Sequence, residues 1–305
     1  MEVLYALEKL RSPLLNDVML LITRLGEETA FLIAALVIFW CVDKYKGYYL
    51  LGVGLLGNLA NQFMKISCRV LRPWVYDPDF TAVEQAKAAA GGYSFPSGHS
   101  QTAVGTFGGI ACTVKNRAVK ILCILAMILV PFSRMYLGVH TPQDVLVGSA
   151  MALTLVFVLR PVMLGKNKNW IPIVFSVGLV LSAAFLVYVE CWEFPGDIMA
   201  ENLESAQKNA YTLLGCFSGV LVVFFVDEKK LRFSTDAVWW AQILKILLGL
   251  LVVLAVKEGL RSPLEAVFDG HLAARAVRYF LIVVAAGVVW PLSFKYFGRL
   301  GRKSA

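Results

Sequence analysis

The chain has 305 residues, 58% hydrophobic and only 16% charged, with 29 Lys and Arg against 21 Asp and Glu for a net charge of +8. So few charges over this length, with the apolar residues gathered in long runs, exclude an ordinary soluble domain and predict an all-α, polytopic membrane protein. The positive balance suits cytoplasmic membrane loops and does not imply a nucleic-acid partner.

Residues 1–13 mix charged and apolar side chains without the hydrophobic region of a signal peptide. The stretch 14–25 is apolar but interrupted by Asn16, Asp17 and Arg24. It reads either as an interfacial helix or as an extension of the first span through Gly26-Glu27-Glu28. About nine transmembrane helices are expected, near 29–42, 47–66, 98–114, 118–137, 143–163, 170–189, 209–226, 238–256 and 276–294. The expected division is a catalytic core over 1–165 and a four-span extension over 166–305. The six cysteines (41, 68, 112, 123, 191 and 216) show no metal-like spacing and read as buried small hydrophobes.

Alternating these spans sorts the connections. One set carries Lys44 and Lys46, Lys115, Arg117 and Lys120, Arg160, Lys166 and Lys168, Lys229, Lys230 and Arg232, then Arg299, Arg302 and Lys303. The other carries most of the acids, including Glu190, Glu193, Asp197, Glu201 and Glu204. Short basic connections mark the cytoplasmic side, so the N-terminus is expected outside and the C-terminus inside.

Three blocks carry chemistry: Lys65 followed after six residues by Arg72-Pro73; Pro96-Ser97-Gly98-His99; and Ser133-Arg134, five residues, His140, three residues, Asp144. Span alternation brings all three to one membrane face, the outer one. Ser97 is a candidate N-cap, and Thr141-Pro142-Gln143-Asp144 reads as an N-cap, a proline at the first helical position and an acid at the third. Two helix starts facing one cleft favour an anion. Lys65, Arg72 and Arg134 add three cations suited to phosphate oxygens. Of the two histidines, one can attack phosphorus as neutral imidazole while the other protonates the departing oxygen and later activates water. Asp144 is spaced to take the second ring proton of His140. No metal-ligating constellation is visible, so the expected chemistry needs no metal and no cofactor. His271 lies apart from these blocks and is expected to play no part in the site. Lys245, inside the eighth expected span, reads as a side chain that snorkels to the interface. Trp74 reads either as a neighbour of the substrate headgroup or as part of the aromatic belt, and 76–93 as a lid or a linker.

At KISCRVLRP, PSGH and SRMYLGVHTPQD the chain resembles the type 2 phosphatidic acid phosphatase superfamily, whose three signature blocks are complete and in order here. The resemblance covers 29–163. It implies that His140 is the nucleophile, Asp144 its partner and His99 the acid. It further implies that Lys65, Arg72, Ser97, Gly98 and Arg134 hold the phosphate. The expected protein is an integral phosphatase of a bacterial inner membrane with an extracytoplasmic site. It would remove a terminal phosphate from polyprenyl diphosphate, phosphatidic acid or phosphatidylglycerol phosphate through a phosphohistidine. A nine-span chain with an outside N-terminus also resembles the glucose-6-phosphatase branch, which keeps a soluble sugar phosphate open as substrate. A lipid-to-lipid phosphotransferase and, last, a non-catalytic lipid carrier complete the readings; oligomeric state is left open.

Overall fold

The computed structural model describes residues 1–196 and 198–300, so Asp197, Arg302 and Lys303 of the charge pattern lie outside the described residues. Among these residues there are helices and no strands. In chain order they are α1 (Glu2–Glu8), α2 (Pro13–Thr23), α3 (Glu28–Cys41), α4 (Lys44–Cys68), α5 (Pro73–Tyr76), α6 (Glu84–Ala88), α7 (Gly98–Thr113) and α8 (Arg117–Tyr136). There follow α9 (Pro142–Leu164), α10 (Trp170–Cys191), α11 (Ala200–Val226), α12 (Trp239–Gly259), α13 (Arg261–Val267), α14 (Ala273–Val284) and α15 (Phe294–Phe297).

Among the described residues six helices, against the nine expected, are long and apolar enough to cross a membrane: Arg117–Tyr136, Pro142–Leu164, Trp170–Cys191, Ala200–Leu231, Trp239–Val267 and Ala273–Phe297. The physical reasons differ for the other three. With 14 residues, α3 rises only about 21 Å at 1.5 Å per residue, short of a ~30 Å hydrocarbon core. At 25 residues α4 is long enough, but its C-terminal half carries Asn58, Asn61, Gln62 and Lys65. With 16 residues α7 is short, and its first turn is His99, Ser100, Gln101 and Thr102. Along the six spans, large apolar side chains such as Leu122, Val180 and Leu251 are exposed. A face of that kind requires lipid as its solvent.

The helices gather into two compact units, each assembled from several stretches of chain. The first comprises 1–32, 56–161 and 193–206. Within it α7 packs along α8, with α1 and α2 against α8 as well. The 14–25 stretch is a helix of its own: Ser12 caps α2, with its hydroxyl 3.4 Å from the Leu15 N–H, and the extended backbone of Glu27 (ψ 151°) separates it from α3. Residues 76–93 form neither a free lid nor a loose linker. Val83 and Ala86 are buried against Tyr136, Leu137 and Val139 at the end of α8, with Trp74 packed on the same cluster. The N-terminal segment fastens that loop from the other side. Tyr5 donates to Asp77 at 2.9 Å, Glu8 pairs with Thr81, and Arg11 lies 5.3 Å from the Phe80 ring centroid while donating to Tyr136 O at 2.9 Å.

The second unit comprises 33–55, 162–192 and 207–305. Its core is a run of edge-to-face aromatic pairs, including Phe39–Tyr48, Tyr48–Phe224, Phe39–Phe233 and Trp40–Phe294. One ion pair lies among them. Lys44 Nζ donates to the fully buried Asp227 at 2.6 Å, and Asp227 also accepts from Phe233 N at 3.1 Å. Lys245 does not snorkel. It is completely buried, donates to Thr235 O at 3.0 Å, and lies 4.5 Å from the Phe294 ring centroid. The carbonyl and the ring face together replace the water that a lone ammonium would need. Of the six cysteines only Cys123 is buried, while Cys68 and Cys191 are exposed.

In the first unit one glycine fixes how closely α9 approaches the start of α7. A Cβ on Gly148 would lie 2.6 Å from the Ser97 carbonyl oxygen. Gly148→Val is therefore expected to push α9 off Ser97 and to destabilise the protein by about 1–3 kcal/mol. The readout is the thermal unfolding midpoint in detergent. Gly259→Ala, where nothing lies within 4 Å, should not lower it, and an unchanged midpoint in Gly148→Val would show that the two helices are not in register-critical contact.

Candidate active site

Five helix ends bring the three blocks together within the first unit. Lys65 sits in the last turn of α4, and Arg72 is the extended residue that caps the short α5. Ser97 is the N-cap of α7, its Oγ accepting from Ser100 N at 3.4 Å and from the Ser100 hydroxyl at 2.9 Å. Arg134 lies in the last turn of α8.

The turn after α8 then decides where His140 goes. Gly138 has φ +79°, the left-handed conformation that glycine adopts without a Cβ penalty. Its N–H donates to Met135 O at 3.0 Å, and Val139 N–H donates to Arg134 O at 3.1 Å. These paired bonds are the Schellman ending of a helix. They reverse the chain at once, so His140 is set down beside the helix end that carries Arg134. Two residues later α9 begins with a reciprocal cap. Thr141 N–H donates to Asp144 Oδ2 at 2.8 Å, and Asp144 N–H donates to Thr141 Oγ1 at 3.3 Å.

The resulting cavity has a volume of about 240 Å³ and is lined by Lys65, Arg72, Gly98, His99, Arg134 and His140, among others. Ser97 is fully buried behind the start of α7, its N–H on Asp144 O at 3.0 Å. Asp144, also buried, stands behind His140. Glu27 and Glu28 also line the cavity, but both are exposed, whereas Arg72, Arg134 and His140 are buried. The fixed positive charge is thus the enclosed part, and the carboxylates belong to the rim.

The hydrogen bonds around His140 select one tautomer. Arg72 NH1 lies 3.0 Å from Nε2, and a guanidinium can only donate, so Nε2 carries a lone pair. The proton is then on Nδ1, which faces Asp144 Oδ2 at 3.4 Å and Ser94 Oγ at 3.4 Å. Both distances are long, and the Nδ1 proton is shared between them. Ser94 in turn donates to Asp144 Oδ2 at 2.6 Å. One carboxylate oxygen therefore serves the helix cap, the serine and the imidazole together.

The cations are held mainly by backbone oxygens. Arg72 donates to Gly92 O at 3.0 Å, Val139 O at 2.9 Å and Gly91 O at 2.7 Å, and Lys65 donates to Tyr93 O at 2.5 Å. Arg134 NH1 donates to Thr23 Oγ1 at 2.9 Å, while its Nε is buried with no partner among the described residues. An orphaned buried guanidinium N–H at a cavity wall is a donor waiting for an anion.

The motif reading missed several contributors. Ser94, Thr23 and the Gly91–Gly92 carbonyls carry no pattern of their own; only the proximity of Ser94 to the second block could have singled it out. Asn61, whose side-chain amide is 3.4 Å from Pro96 O, was equally silent. Residues 199–206 were missed too. Met199 N–H reaches the Tyr93 hydroxyl at 3.4 Å, and Asn202 and Ser205 share a small pocket of about 70 Å³ with Gln62, Lys65 and Tyr93. His271 stands apart, its Nδ1 accepting from Ala273 N at 3.0 Å.

Burial, reinforced by Arg72, Arg134, Lys65 and His99, holds His140 well below its ordinary value of 6.5. Burial also brings Arg72 down to about 10, which leaves it charged at neutral pH. Because a lowered histidine stays neutral where an ordinary one takes a proton, His140 in the ligand-free protein is expected to remain unprotonated as the pH falls through the ordinary histidine value of 6.5. Nitrogen-15 spectra of histidine-labelled protein, assigned with His140→Gln, would read this; a midpoint near the ordinary value would contradict it.

The family model described as PAP2 superfamily matches residues 46–168, which hold every residue of the three blocks. A second, described as PAP2 superfamily phosphatase, transmembrane extension, matches residues 211–303. Among curated proteins, the phosphatidylglycerophosphatase B of Bacillus subtilis (strain 168) is 32% identical over 167 residues, covering 50% of this chain and 76% of that protein. No solved structure matches the chain. The chain therefore belongs to the PAP2 superfamily, as an integral membrane phosphatase with that family's transmembrane extension.

Proposed function

We propose that the protein removes a terminal phosphate from a membrane lipid phosphate or diphosphate, with His140 Nε2 as the nucleophile. One observation carries this: Nε2 is unprotonated, fixed from behind through Nδ1 by Asp144 and Ser94, and faces a cavity whose buried charges are cations. In the ligand-free site Arg72 NH1 occupies that lone pair. An incoming phosphate offers the guanidinium a better acceptor, so binding frees Nε2 as it fixes phosphorus in front of it. Arg134 Nε, Lys65 and the free N–H groups at the start of α7, Gly98 first, take the equatorial oxygens. Ser97 serves through its backbone and cap rather than at the cavity surface.

Burial and the neighbouring cations hold His99 down to about 3 in the ligand-free site; the negative charge of the bound phosphate offsets those cations and lets His99 take up a proton. Nε2 then forms the P–N bond as the ester P–O bond breaks, and the protonated His99 gives that proton to the leaving oxygen. In the second half His99 takes a proton from water, the hydroxide attacks phosphorus, and the P–N bond breaks to return the lone pair to Nε2. As the imidazole gains positive charge on attack, Asp144 stabilises it through Nδ1. No step in this cycle is assigned to a metal.

The lipid assignment is supported by the placement of the site at the ends of membrane-spanning helices and by the name of the Bacillus relative, which puts phosphatidylglycerol phosphate ahead of phosphatidic acid and polyprenyl diphosphate. The acids of the opposite connections support an extracytoplasmic site in a bacterial inner membrane. The reading keeps a core over 1–165 and an extension over 166–305 as the division of labour, although the compact units cut across it: residues 33–55 group with the second unit and 193–206 with the first.

Phosphate release by detergent-purified protein tests the proposal. The panel holds the three lipids and glucose 6-phosphate, each with excess chelator. His140→Ala should lower the rate by about 1,000-fold or more, and His99→Ala by about 100- to 10,000-fold. Acid-labile, base-stable label on protein quenched from a labelled substrate would identify the phosphohistidine. Preference for glucose 6-phosphate would replace the lipid by a soluble ester. Full activity in His140→Ala would end the assignment. Ser94→Ala, which frees one side of Nδ1, should lower kcat by about 10- to 100-fold with KM little changed; an unaltered kcat would remove Ser94 from the positioning of His140.

A further inference from the structure

The second unit contains a cleft larger than the catalytic cavity, of about 710 Å³, within the range of ligand sites. It is framed by the end of α11, the loop that follows, and the turns leading into α15. Four cations line it, Lys230, Arg232, Lys295 and Arg299, against a single carboxylate, Asp236. That carboxylate already accepts from the Ser234 hydroxyl at 2.8 Å. Lys230 and Arg299 make no side-chain hydrogen bond or ion pair among the described residues, and the Arg232 side chain touches only a backbone carbonyl, Glu228 O at 3.0 Å. The rest of the wall is largely apolar, with Leu231, Val288 and Leu292 prominent.

The backbone is distorted on both sides of this cleft. Here α11 ends in a π turn, Asp227–Leu231, and Arg232 follows with φ +45°. After α14 the chain passes through a second π turn, Ala285–Val289, and then a 3₁₀ turn, Trp290–Ser293. Such turns interrupt the α ladder and are frequent at functional sites. The distortion is anchored rather than frayed. Asp227 is fixed by Lys44 at 2.6 Å and by Phe233 N at 3.1 Å, and the buried Lys245 ties Thr235 back to α12. The backbone that carries Lys230 and Arg232 is thereby fixed, and all four cations line one cleft with their side chains exposed.

Cations surrounding an apolar wall at the ends of membrane helices match an anionic amphiphile: a phosphate between the charges and an acyl chain along Leu231, Val288 and Leu292. We propose that this cleft binds the headgroup of an anionic phospholipid from the adjoining leaflet, at a site separate from the residues of phosphate hydrolysis. The proposal does not depend on which substrate His140 attacks.

Native mass spectrometry of the full-length protein in detergent tests it, with dioleoyl-phosphatidylglycerol, dioleoyl-phosphatidylcholine and inorganic phosphate as separate probes. The four cations are exposed, so the quadruple variant Lys230→Gln, Arg232→Gln, Lys295→Gln, Arg299→Gln should fold. Retained phosphatase activity of that variant in detergent checks this. Expected is a phosphatidylglycerol adduct on the wild type, weakened at least about tenfold in the variant, with phosphatidylcholine binding equally poorly to both. Binding to the catalytic cavity is separated by Arg134→Gln, which should keep the adduct. Equal phosphatidylglycerol binding by wild type and quadruple variant would overturn the proposal. So would inorganic phosphate that binds as tightly as the lipid and displaces it, which would make the cleft a free-anion site.

Discussion

Burying positive charge beside a neutral imidazole is the constraint on which the catalytic unit depends. Arg72, Arg134 and His140 are nearly inaccessible, and a bare guanidinium in such a place would be prohibitive. The protein meets that cost with backbone. Arg72 is gripped by the carbonyls of Gly91, Gly92 and Val139, and Lys65 by that of Tyr93. Carbonyls satisfy hydrogen bonds without cancelling charge. The site therefore keeps the net positive field that a phosphate needs, which partner carboxylates would have neutralised. The buried carboxylate of the site, Asp144, is directed at Nδ1 of His140 and away from Nε2.

That grip explains why residues 76–93 have to be packed. If the loop were free, Gly91 and Gly92 could not hold Arg72, and Arg72 could not hold His140. The chain secures it twice. The apolar contacts of Val83 and Ala86 fix its inner face, and the N-terminal segment ties its outer edge through Tyr5 and Glu8 of α1 and Arg11 just after it. The N-terminal segment is remote from the motif blocks in sequence, yet it fastens the loop whose carbonyls set the position of Arg72.

What the sequence disclosed and what it withheld divide along physical lines. Lys65, Arg72, His99, Arg134 and His140 were legible because phosphate chemistry needs those side-chain types, and helix ends put them at characteristic spacings. The reciprocal cap of Thr141 and Asp144 was legible as a local four-residue pattern. Gly91, Gly92 and Tyr93 contribute carbonyls, which every residue possesses, so no composition could mark them. Ser94 matters only because the chain closes over 50 residues to place it on Asp144, and that closure is a tertiary fact. Lys245 was misread for a related reason: its acceptor is a carbonyl in a loop, and its second partner, Phe294, arrives from the end of the chain.

The shortfall in apolar spans has the same origin. Two of the helices that fail the test of length and hydropathy, α4 and α7, are those that place Lys65 and His99. A helix whose end lines a polar cavity carries Asn, Gln, Lys or His over a turn or more, and each lowers the hydropathy by which a span is recognised. Those polar faces are tolerated because they turn toward one another around a shared cavity instead of toward lipid. Hydropathy thus identifies with most ease the helices that contact only lipid and each other, and it understates the ones whose ends line the cavity. For a membrane enzyme of this kind, a long helix with an apolar deficit at one end is itself a pointer to where the reaction takes place.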